Sequence, residues 1–183
     1  DPISEHGIVF GGLPRATRGD AAFTILRNKA YIVGYSEQRK DPLWSAYHVF
    51  GATGPVQEER PKGNFLTDDR TLAKVTHHDF DRSGYDRGHM TPNSAIARCF
   101  GADAQKETFL LSNICPQAPN LNQKVWEKLE KDELDYADAD GEIWIIDGPI
   151  FADLNGGDTR TLPAGIAVPS AFYKILIEDQ NNT

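Results

Sequence analysis

Four consecutive residues, Asp86-Arg87-Gly88-His89, combine side chains that suit chemistry on a phosphate group. His89 can accept a proton near neutral pH, because the pKa of an unperturbed imidazole is about 6.5. Arg87 carries a planar fork of hydrogen-bond donors that fits phosphate oxygens. If these residues form a strand, Arg87 and His89 point to the same face, because side chains alternate along a strand. A base and a cation on one face predict hydrolysis of a phosphodiester; the alternative is an ordinary pair of polar surface residues.

The elements that must position this motif are mostly strands. Runs of β-branched, aromatic and apolar residues between Gly, Pro and Asn predict them. The predicted strands are 22–26, 30–35, 44–50, 142–147, 166–168 and 172–177, with a short buried strand within 106–113. The first two should form a hairpin through residues 27–29. Residues 51–84 are expected to form a long excursion and 93–105 a connector with one helical turn, while two prolines keep 113–122 irregular.

One helix is predicted from about Leu121 to about Ala137. Asn120 is a favourable N-cap residue, and Gln123 stands at the third helical position, so the two approximate a capping box. At about 100° per residue, an apolar stripe should face the core; it comprises Leu121, Val125, Leu129 and Tyr136. The residues along one edge of this stripe are Asn122, Trp126, Glu130 and Glu133.

The composition is that of one globular domain. The chain has 183 residues, of which 39% are hydrophobic and 25% charged, and a chain of this length can bury a substantial core. No stretch approaches the roughly 20 apolar residues of a membrane span. The chain begins at Asp1 without Met, which suits a processed, exported protein or a chosen starting point. Cys99 and Cys115 are compatible with one disulfide or with two free thiols.

The net charge of −8 argues against a general nucleic-acid coat protein, because such proteins carry a basic excess. It is compatible with an enzyme that acts on nucleic acid through a local basic cleft. The basic residues that are candidates for this cleft are Arg60, Lys62, Arg82, Arg87, Arg98 and Lys124. Each of them can equally be an ordinary solvated surface charge.

A second group of metal-ligating residue types precedes the motif. His77, His78 and Asp79 are consecutive, and Asp81 follows two residues later. With Asp86 and His89 they could form a metal cluster, although their spacing matches none of the common zinc patterns. A metallohydrolase centred on these residues is therefore a rival hypothesis, and its zinc content would distinguish it.

Three separated motifs resemble those of a known family in type, order and spacing. They are Asp86-Arg87-Gly88-His89-Met90, then Leu111-Ser112-Asn113-Ile114-Cys115-Pro116-Gln117, then Leu121-Asn122-Gln123 with Trp126 and Leu129-Glu130. In these motifs the chain is similar to the DNA/RNA non-specific endonucleases, a family of ββα-metal nucleases with secreted bacterial and mitochondrial members. The resemblance covers most of the chain, since segments 11–14, 44–49, 148–149 and 166–174 also fall in the family's order.

The resemblance implies an α+β fold with a central antiparallel sheet and a ββα-metal core. In such a core the histidine lies on a strand and the metal-ligating asparagine lies on the crossing helix. A single nuclease domain over residues 1–183 is implied, lacking the family's C-terminal segment. The implied location is secreted or periplasmic, with the mitochondrial intermembrane space as the alternative.

The resemblance also implies roles for individual residues. His89 would be the general base that deprotonates the attacking water. Asn122 would be the one protein ligand of Mg²⁺, for which Mn²⁺ can substitute, with water and the scissile phosphate completing the coordination. Asn113 would orient the site, through His89 or the phosphate, and Glu130 would hold water beside the ion. The residues implied to bind substrate are Arg87, Arg60 and Lys62. Some relatives have a catalytic arginine before the motif; here Gly63 stands at that position, so Arg60 and Lys62 are the basic residues on offer nearby.

The implied activity is sugar-non-specific hydrolysis of DNA and RNA that leaves 5′-phosphate ends. The alternative is a catalytically weak, nuclease-like module that binds nucleic acid or a protein inhibitor. Besides the nucleic-acid substrate, the candidate partners are a protein inhibitor and a C-terminal segment or second chain. No membrane partner is expected, and the sequence predicts no particular oligomeric state.

Overall fold

The computed structural model describes residues 5–16, 22–51, 63, 65–151 and 160–179. The strands in these ranges are β1 (Thr24–Arg27), β2 (Tyr31–Ser36), β3 (Asp41–Phe50), β4 (Asp86–His89), β5 (Ile114–Gln117), β6 (Glu142–Ile150) and β7 (Ala171–Ile177). The α-helices are α1 (Glu5–Ile8), α2 (Asn93–Phe100), α3 (Ala102–Glu107) and α4 (Glu127–Asp140). Two 3₁₀ turns (His77–Phe80 and Leu111–Asn113) and one π-helical turn (Leu121–Trp126) lie between them.

Five strands form an antiparallel sheet in the order β1-β2-β3-β6-β7. This confirms the predicted central antiparallel sheet and the hairpin formed by its first two strands. Ser45 lies opposite Asp147, which in turn lies opposite Lys174. Directly opposed residues share a face of the sheet, and residues two apart along a strand do so as well. Tyr47, Asp147 and Lys174 therefore belong to one face.

Both faces of this sheet are covered. On one face Tyr31, Val33 and Tyr47 pack with residues of α2 and α4. On the other face Ile32 and Trp44 pack with the segment around α1. All six residues of β2 are consequently buried, and the strand reads as a nearly continuous apolar run because each of its faces has a partner.

A second, two-stranded sheet carries the motif. β4 pairs with β5 in antiparallel register, with Asp86 opposite Gln117 and His89 opposite Ile114. The π-helical turn and α4 follow directly, which gives a ββα unit as expected. The amide of Glu127 donates to the carbonyl of Asn122, five residues earlier. Such wide turns inside helices are rare and often lie at functional sites.

The buried face of the long helix differs from the predicted one. Val125 and Tyr136 are 56% and 54% exposed, whereas Trp126 and Glu133 are buried. The π-helical turn contains about one residue more than an α-helical turn. The residues that face the core after it therefore differ by about one position from those that regular helical periodicity predicts. The predicted capping box is also wrong, because Asn120 has helical backbone angles and its side chain makes no cap bond.

Three further segments depart from expectation. The predicted buried strand within 106–113 ends in a 3₁₀ turn, and only Leu110 makes an isolated bridge, to Leu66. The stretch expected to be irregular instead contains β5, which includes Pro116. Proline is tolerated there because β5 has one neighbouring strand and its other edge needs no amide donor. The connector after β4 forms two helices, α2 and α3, rather than one turn.

None of the helices in the described ranges is long and apolar enough to cross a membrane. The two cysteines carry free thiols, with Cys115 buried in the sheet and Cys99 partly buried on α2. The structure thus decides a question that the sequence left open.

Candidate active site

The last residue of β4, His89, lies between aromatic side chains. The residue is 8% exposed, and the ring centroids of Phe65 and Phe109 are 5.3 Å and 5.1 Å from that of the imidazole. On the side of the helix, Trp126 donates its indole N–H to the carbonyl of His89 at 3.0 Å. The aromatic contacts limit rotation of the ring, while the indole fixes the backbone that carries it.

Arg87 faces the same 65–81 segment as His89, as strand alternation predicts. Its Nη2 donates to the carbonyl of His77 and to Oδ1 of Asp81, both at 2.7 Å. Hydrogen bonds from His78 and Arg87 lower the pKa of the Asp81 carboxyl. We call Arg87 and Asp81 the surface pair, because the Asp81 side chain is 49% exposed. The guanidinium expected to bind phosphate is therefore already paired with a carboxylate.

The side chain of Asn113 is fully buried. Its Oδ1 accepts from the amide of Thr91 at 3.0 Å, and its Nδ2 donates to the carbonyls of Thr91 and Thr108 at 2.9 Å and 3.0 Å. These bonds fix the chain immediately after His89. The Asn113 amide is thus bonded to the backbone of Thr91 and Thr108, and its predicted orienting role stays a prediction.

Asn122 lies in the π-helical turn, directly beside β4. Its Nδ2 donates to Oδ2 of Asp86 at 3.0 Å, and Gln123 donates to the same oxygen at 2.8 Å. Since the amide nitrogen of Asn122 faces the carboxylate, the amide oxygen is directed elsewhere. Asp86 thus orients Asn122 and links the first strand of the ββα unit to its helix.

The donor atoms around Asn122 fit an oxygen-seeking ion. Asp86 and Asn122 offer carboxylate and amide oxygens, which are the ligand types that Mg²⁺ prefers. Within the described ranges, no three His, Cys, Asp or Glu side chains converge as a conventional metal cluster would require. In the rival cluster, His78 is bonded to Asp81, and Asp79 accepts from the amide of Thr76. The residues of the rival cluster are used in local turn contacts.

Glu130 lies two turns along the helix from Asn122 and is mostly buried. Burial raises the pKa of its carboxyl to about 8; Lys174 opposes this shift, and Glu133 reinforces it. A helix rises about 1.5 Å per residue, so Glu130 is too far along the axis to share a ligand shell directly with Asn122. Its predicted role must therefore act through water.

The comparisons with known proteins agree with this geometry. The sequence model of the DNA/RNA non-specific endonucleases matches residues 15–183. The chain belongs to the DNA/RNA non-specific endonuclease family. The family's model spans all three motifs, from the strand with His89 to the helix with Glu130.

Relatives of this endonuclease-family chain carry nuclease names. Human mitochondrial endonuclease G is 28% identical over 158 residues, which cover 81% of this chain and 52% of the human protein. Nuclease C1 of Cunninghamella echinulata is 28% identical over 193 residues, covering 99% of this chain and 73% of the fungal one. The mitochondrial nuclease of Saccharomyces cerevisiae is 28% identical over 162 residues, covering 81% and 49%. The chain thus spans about half the length of several relatives that it matches.

The fold is also found among solved structures. The crystal structure of an EndoG/EndoGI complex matches with a TM-score of 0.74 at 24% identity, covering 84% of this chain and 67% of that one. At this level of identity the likeness concerns the fold. It supports the assignment of the α+β class and of the ββα core.

Sequence patterns did not predict a group of buried charged residues inside this family member. Tyr47, Glu133, Asp147 and Lys174, which we call the buried charge cluster, join the central sheet to α4. Lys174 Nζ lies 2.8 Å from Glu133 Oε2, 3.2 Å from Asp147 Oδ2 and 2.8 Å from the Tyr47 hydroxyl. The Lys174 side chain is 2% exposed, and both carboxylates are fully buried. The only signal in the sequence was a lysine inside an apolar strand.

Burial and mutual contact shift the titration of this cluster. Burial raises the pKa of Asp147 to about 7, while Lys174 opposes the shift. The pKa of Glu133 is raised for the same reason and against the same counter-charge. Burial alone would lower the pKa of Lys174, but Glu133 and Asp147 raise it above its ordinary value.

Gly88 is glycine because a neighbouring side chain leaves no room for a Cβ atom. A Cβ atom built on Gly88 would lie 2.0 Å from Oε1 of Gln117, whose side chain is fully buried against this point of β4. No other residue type can stand at position 88 without displacing the glutamine. Gly88 and Gln117 therefore fix how closely β4 and β5 approach.

The remaining basic candidates lie in different places. Arg60 and Lys62, predicted to bind substrate, lie outside the described residues. Arg98 is paired with Asp138 on α4, away from the motif strand. Arg160, which the sequence did not single out, is exposed and donates to the Tyr85 hydroxyl at 3.0 Å. Tyr85 directly precedes β4, so Arg160 places an exposed guanidinium next to the motif.

Proposed function

We propose that this protein is a sugar-non-specific endonuclease that hydrolyses phosphodiester bonds of DNA and RNA with Mg²⁺ and leaves 5′-phosphate ends. One observation carries the proposal: the ββα unit joins the His89 strand to the Asn122 turn through two direct hydrogen-bond links. One link runs from Asn122 to Asp86, and the other from Trp126 to His89. The nuclease names of relatives from human to yeast support it.

His89 is the proposed general base. Removal of a proton from water by a positioned side chain contributes about 10² to 10⁴ in rate. The aromatic contacts of Phe65 and Phe109 hold the ring in a water-poor pocket, and Asn113 and Trp126 fix the backbone on either side of it. A base held in this way keeps its orientation towards an attacking water.

Asn122 is the proposed protein ligand of Mg²⁺, with its amide orientation set by Asp86. When bound, this ion stabilises the negative charge that develops on the phosphate and on the departing 3′-oxygen. Glu130 holds water between the helix and the reacting group. Mn²⁺ is expected to substitute, since it also accepts oxygen ligands.

Arg87 is the proposed phosphate-binding residue. Its charge is shared with Asp81 until a substrate arrives, and the exposed position of that carboxylate lets a phosphate compete for the guanidinium. Because contacts to phosphate carry no base identity, the cleavage is expected to show little sequence preference. Arg60 and Lys62 are proposed as further substrate-binding residues on the ground of the family resemblance.

The relatives also suggest a compartment and a partner for this protein. Several relatives are named mitochondrial, which favours the mitochondrial alternative over a secreted or periplasmic location. The structural similarity to EndoG in a complex with EndoGI supports a protein inhibitor as a candidate partner. The extent of the domain, including a segment after residue 183, stays a prediction.

The experiment is digestion of supercoiled plasmid, single-stranded DNA and RNA, with Mg²⁺ and with EDTA. His89→Ala should fold and should lose about 100-fold or more in turnover, and Asn122→Ala should require more Mg²⁺ for half-maximal rate. The matched control is His48→Gln, since His48 is held in β3 by Glu142 and Trp144. Wild-type turnover in His89→Ala would remove the proposed base. Binding without cleavage by the wild type would favour the catalytically weak alternative.

A further inference from the structure

The indole of Trp126 connects the reaction centre to the protein interior. Trp126 ends the π-helical turn that begins at Leu121 and bears Asn122, and it is 2% exposed. Its N–H donates to the carbonyl of His89. One indole therefore sets the distance between the proposed base and the turn that bears the proposed metal ligand.

Lys174 lies over the ring of this indole. Its Nζ is 4.9 Å from the Trp126 ring centroid, within the range in which a cation is attracted to an aromatic face. The attraction is strong when the cation is desolvated, and the Lys174 side chain is almost entirely buried. The ammonium is itself fixed by Glu133 from α4 and by Asp147 from β6.

The charges around Lys174 are unbalanced. Three carboxyl groups feel its charge, namely Glu130, Glu133 and Asp147, and Lys174 opposes the upward pKa shift of each. Two of them, Glu130 and Glu133, belong to the helix that follows Asn122. Replacing this one ammonium therefore changes the electrostatic contact between the helix and the sheet.

A contribution to stability alone does not explain this arrangement. Replacing a buried ion pair by apolar or neutral residues of similar size is often neutral or stabilising. Lys174 has a further consequence for the geometry, because it contacts Glu133 of α4 and also lies 4.9 Å from the centroid of the Trp126 ring. It therefore touches both the helix and the indole that donates to His89.

We propose that Lys174 is a positioning residue for the nuclease reaction, which holds Trp126 and α4 so that His89 and Asn122 keep their mutual distance. The proposal rests on the proposed function for its kinetic consequence. Its structural link, from Lys174 through Trp126 to His89, stands independently of activity.

The test is the double variant Lys174→Met with Glu133→Gln, made in the full chain. It removes the ammonium and one carboxylate together and keeps the side-chain lengths similar. The matched control is Lys128→Met, which changes the same residue type on the exposed face of α4. Cleavage of single-stranded DNA is measured at saturating Mg²⁺ over a range of DNA concentrations, which separates kcat from KM. In parallel, the ¹⁵N-labelled indole resonances are recorded and that of Trp126 is assigned with Trp126→Phe.

We expect the double variant to fold, to lose between about 10-fold and 100-fold in kcat, as small misplacements of reacting groups do, and to keep KM within about twofold. The Trp126 indole resonance should move, while Lys128→Met changes neither quantity. Unchanged kcat with a folded double variant would overturn the proposal. A lower kcat with an unmoved Trp126 resonance would overturn it as well, because the loss would then arise elsewhere.

A second variant keeps the proposal testable if the double variant fails to fold. Trp126→Phe retains most of the packing but removes the donor to His89, so it should lose kcat with little change in KM. Full activity in Trp126→Phe would overturn the proposed link. If the wild type itself cleaves nothing, the proposed function fails, whereas the indole resonance of the Lys174 variant still decides the positioning link.

Discussion

The surface pair and the buried charge cluster both join a basic side chain to carboxylates, yet they differ in environment. In the surface pair, Arg87 meets Asp81, a carboxylate that is 49% exposed. In the buried charge cluster, Lys174 meets Glu133 and Asp147, both fully buried. The first pair is open to water and salt, and the second is sealed between the sheet and α4.

This difference teaches which cation can serve a substrate. Exposed ion pairs contribute about 0 to 1 kcal/mol, so a phosphate can displace Asp81 from Arg87 at little cost. Breaking a buried pair leaves an uncompensated charge and costs about 3 to 5 kcal/mol. Under the proposed function, Arg87 is therefore the cation that phosphate can reach, whereas Lys174 stays within the buried charge cluster.

The largest effect is expected from Lys174→Met alone. This change leaves Glu133 and Asp147 buried without their counter-charge, and it should lower the free energy of unfolding by about 3 to 5 kcal/mol. Urea unfolding at pH 7.5 measures it, with Lys131→Met, an exposed partner of Glu127, as the control. A loss below about 1 kcal/mol would show that the cluster resembles the surface pair after all.

An intermediate effect is expected from pH. Burial raises the pKa of Glu130 from 4.5 to about 8 and that of Asp147 from 3.8 to about 7. At a pH between the unfolded and the folded pKa of each carboxyl, the folded protein holds a proton that the unfolded chain has released. The free energy of unfolding should therefore fall as the pH rises from about 4 to about 8. Asp81 in the surface pair acts in the opposite sense, since its lowered pKa favours the folded state above pH 3.8.

Unfolding free energies measured across this pH range should therefore slope downwards in the wild type. Glu130→Gln removes one of the two titrating carboxyls and should flatten the slope, while Asp81→Asn should leave it nearly unchanged. An identical slope in Glu130→Gln would mean that Glu130 titrates normally and is better hydrated than its position indicates.

The smallest effect is expected from Asp81→Asn. Stability should change little, because an exposed ion pair contributes little, and Arg87 should become more available to phosphate. The KM for DNA should then fall by up to about fivefold at low salt, which is the scale of one exposed charge pair. Asp103→Asn, which removes the same charge from an exposed pair with Lys106, is the matched control. An increase in KM would indicate that Asp81 orients Arg87 for binding.

The helix shows how far the sequence could predict this site. The presence of a long helix after the motif, and the place of Asn122 in its first turn, followed from local pattern. Its buried face did not follow, because one wide turn displaced the stripe from Val125 and Tyr136 to Trp126 and Glu133. Helical periodicity assumes a constant rotation per residue, and a π-helical turn breaks that assumption.

Other differences have related causes. Pro116 indicated irregular chain, but a strand at the edge of a two-stranded sheet tolerates proline on its outer side. Helical rotation placed Glu133 at the border of the predicted buried face, and its full burial requires a partner, because a carboxylate rarely enters a core unpaired. Its partner, Lys174, lies 41 residues away, and no local pattern pairs residues at that separation.

The sequence alone therefore determined the family, the five strands of the central sheet with the long helix, and the chemical types in the motif, because these depend on residue identity and short spacings. The tertiary structure decided which of those groups are already engaged, as Arg87 is with Asp81 and Asn113 is with Thr91. It also decided which charges lie inside, as those of Lys174, Glu133 and Asp147 do. The physical reason is that hydrogen-bond partners, burial and pKa depend on contacts between distant parts of the chain, which exist only once the sheet and the helix have packed together.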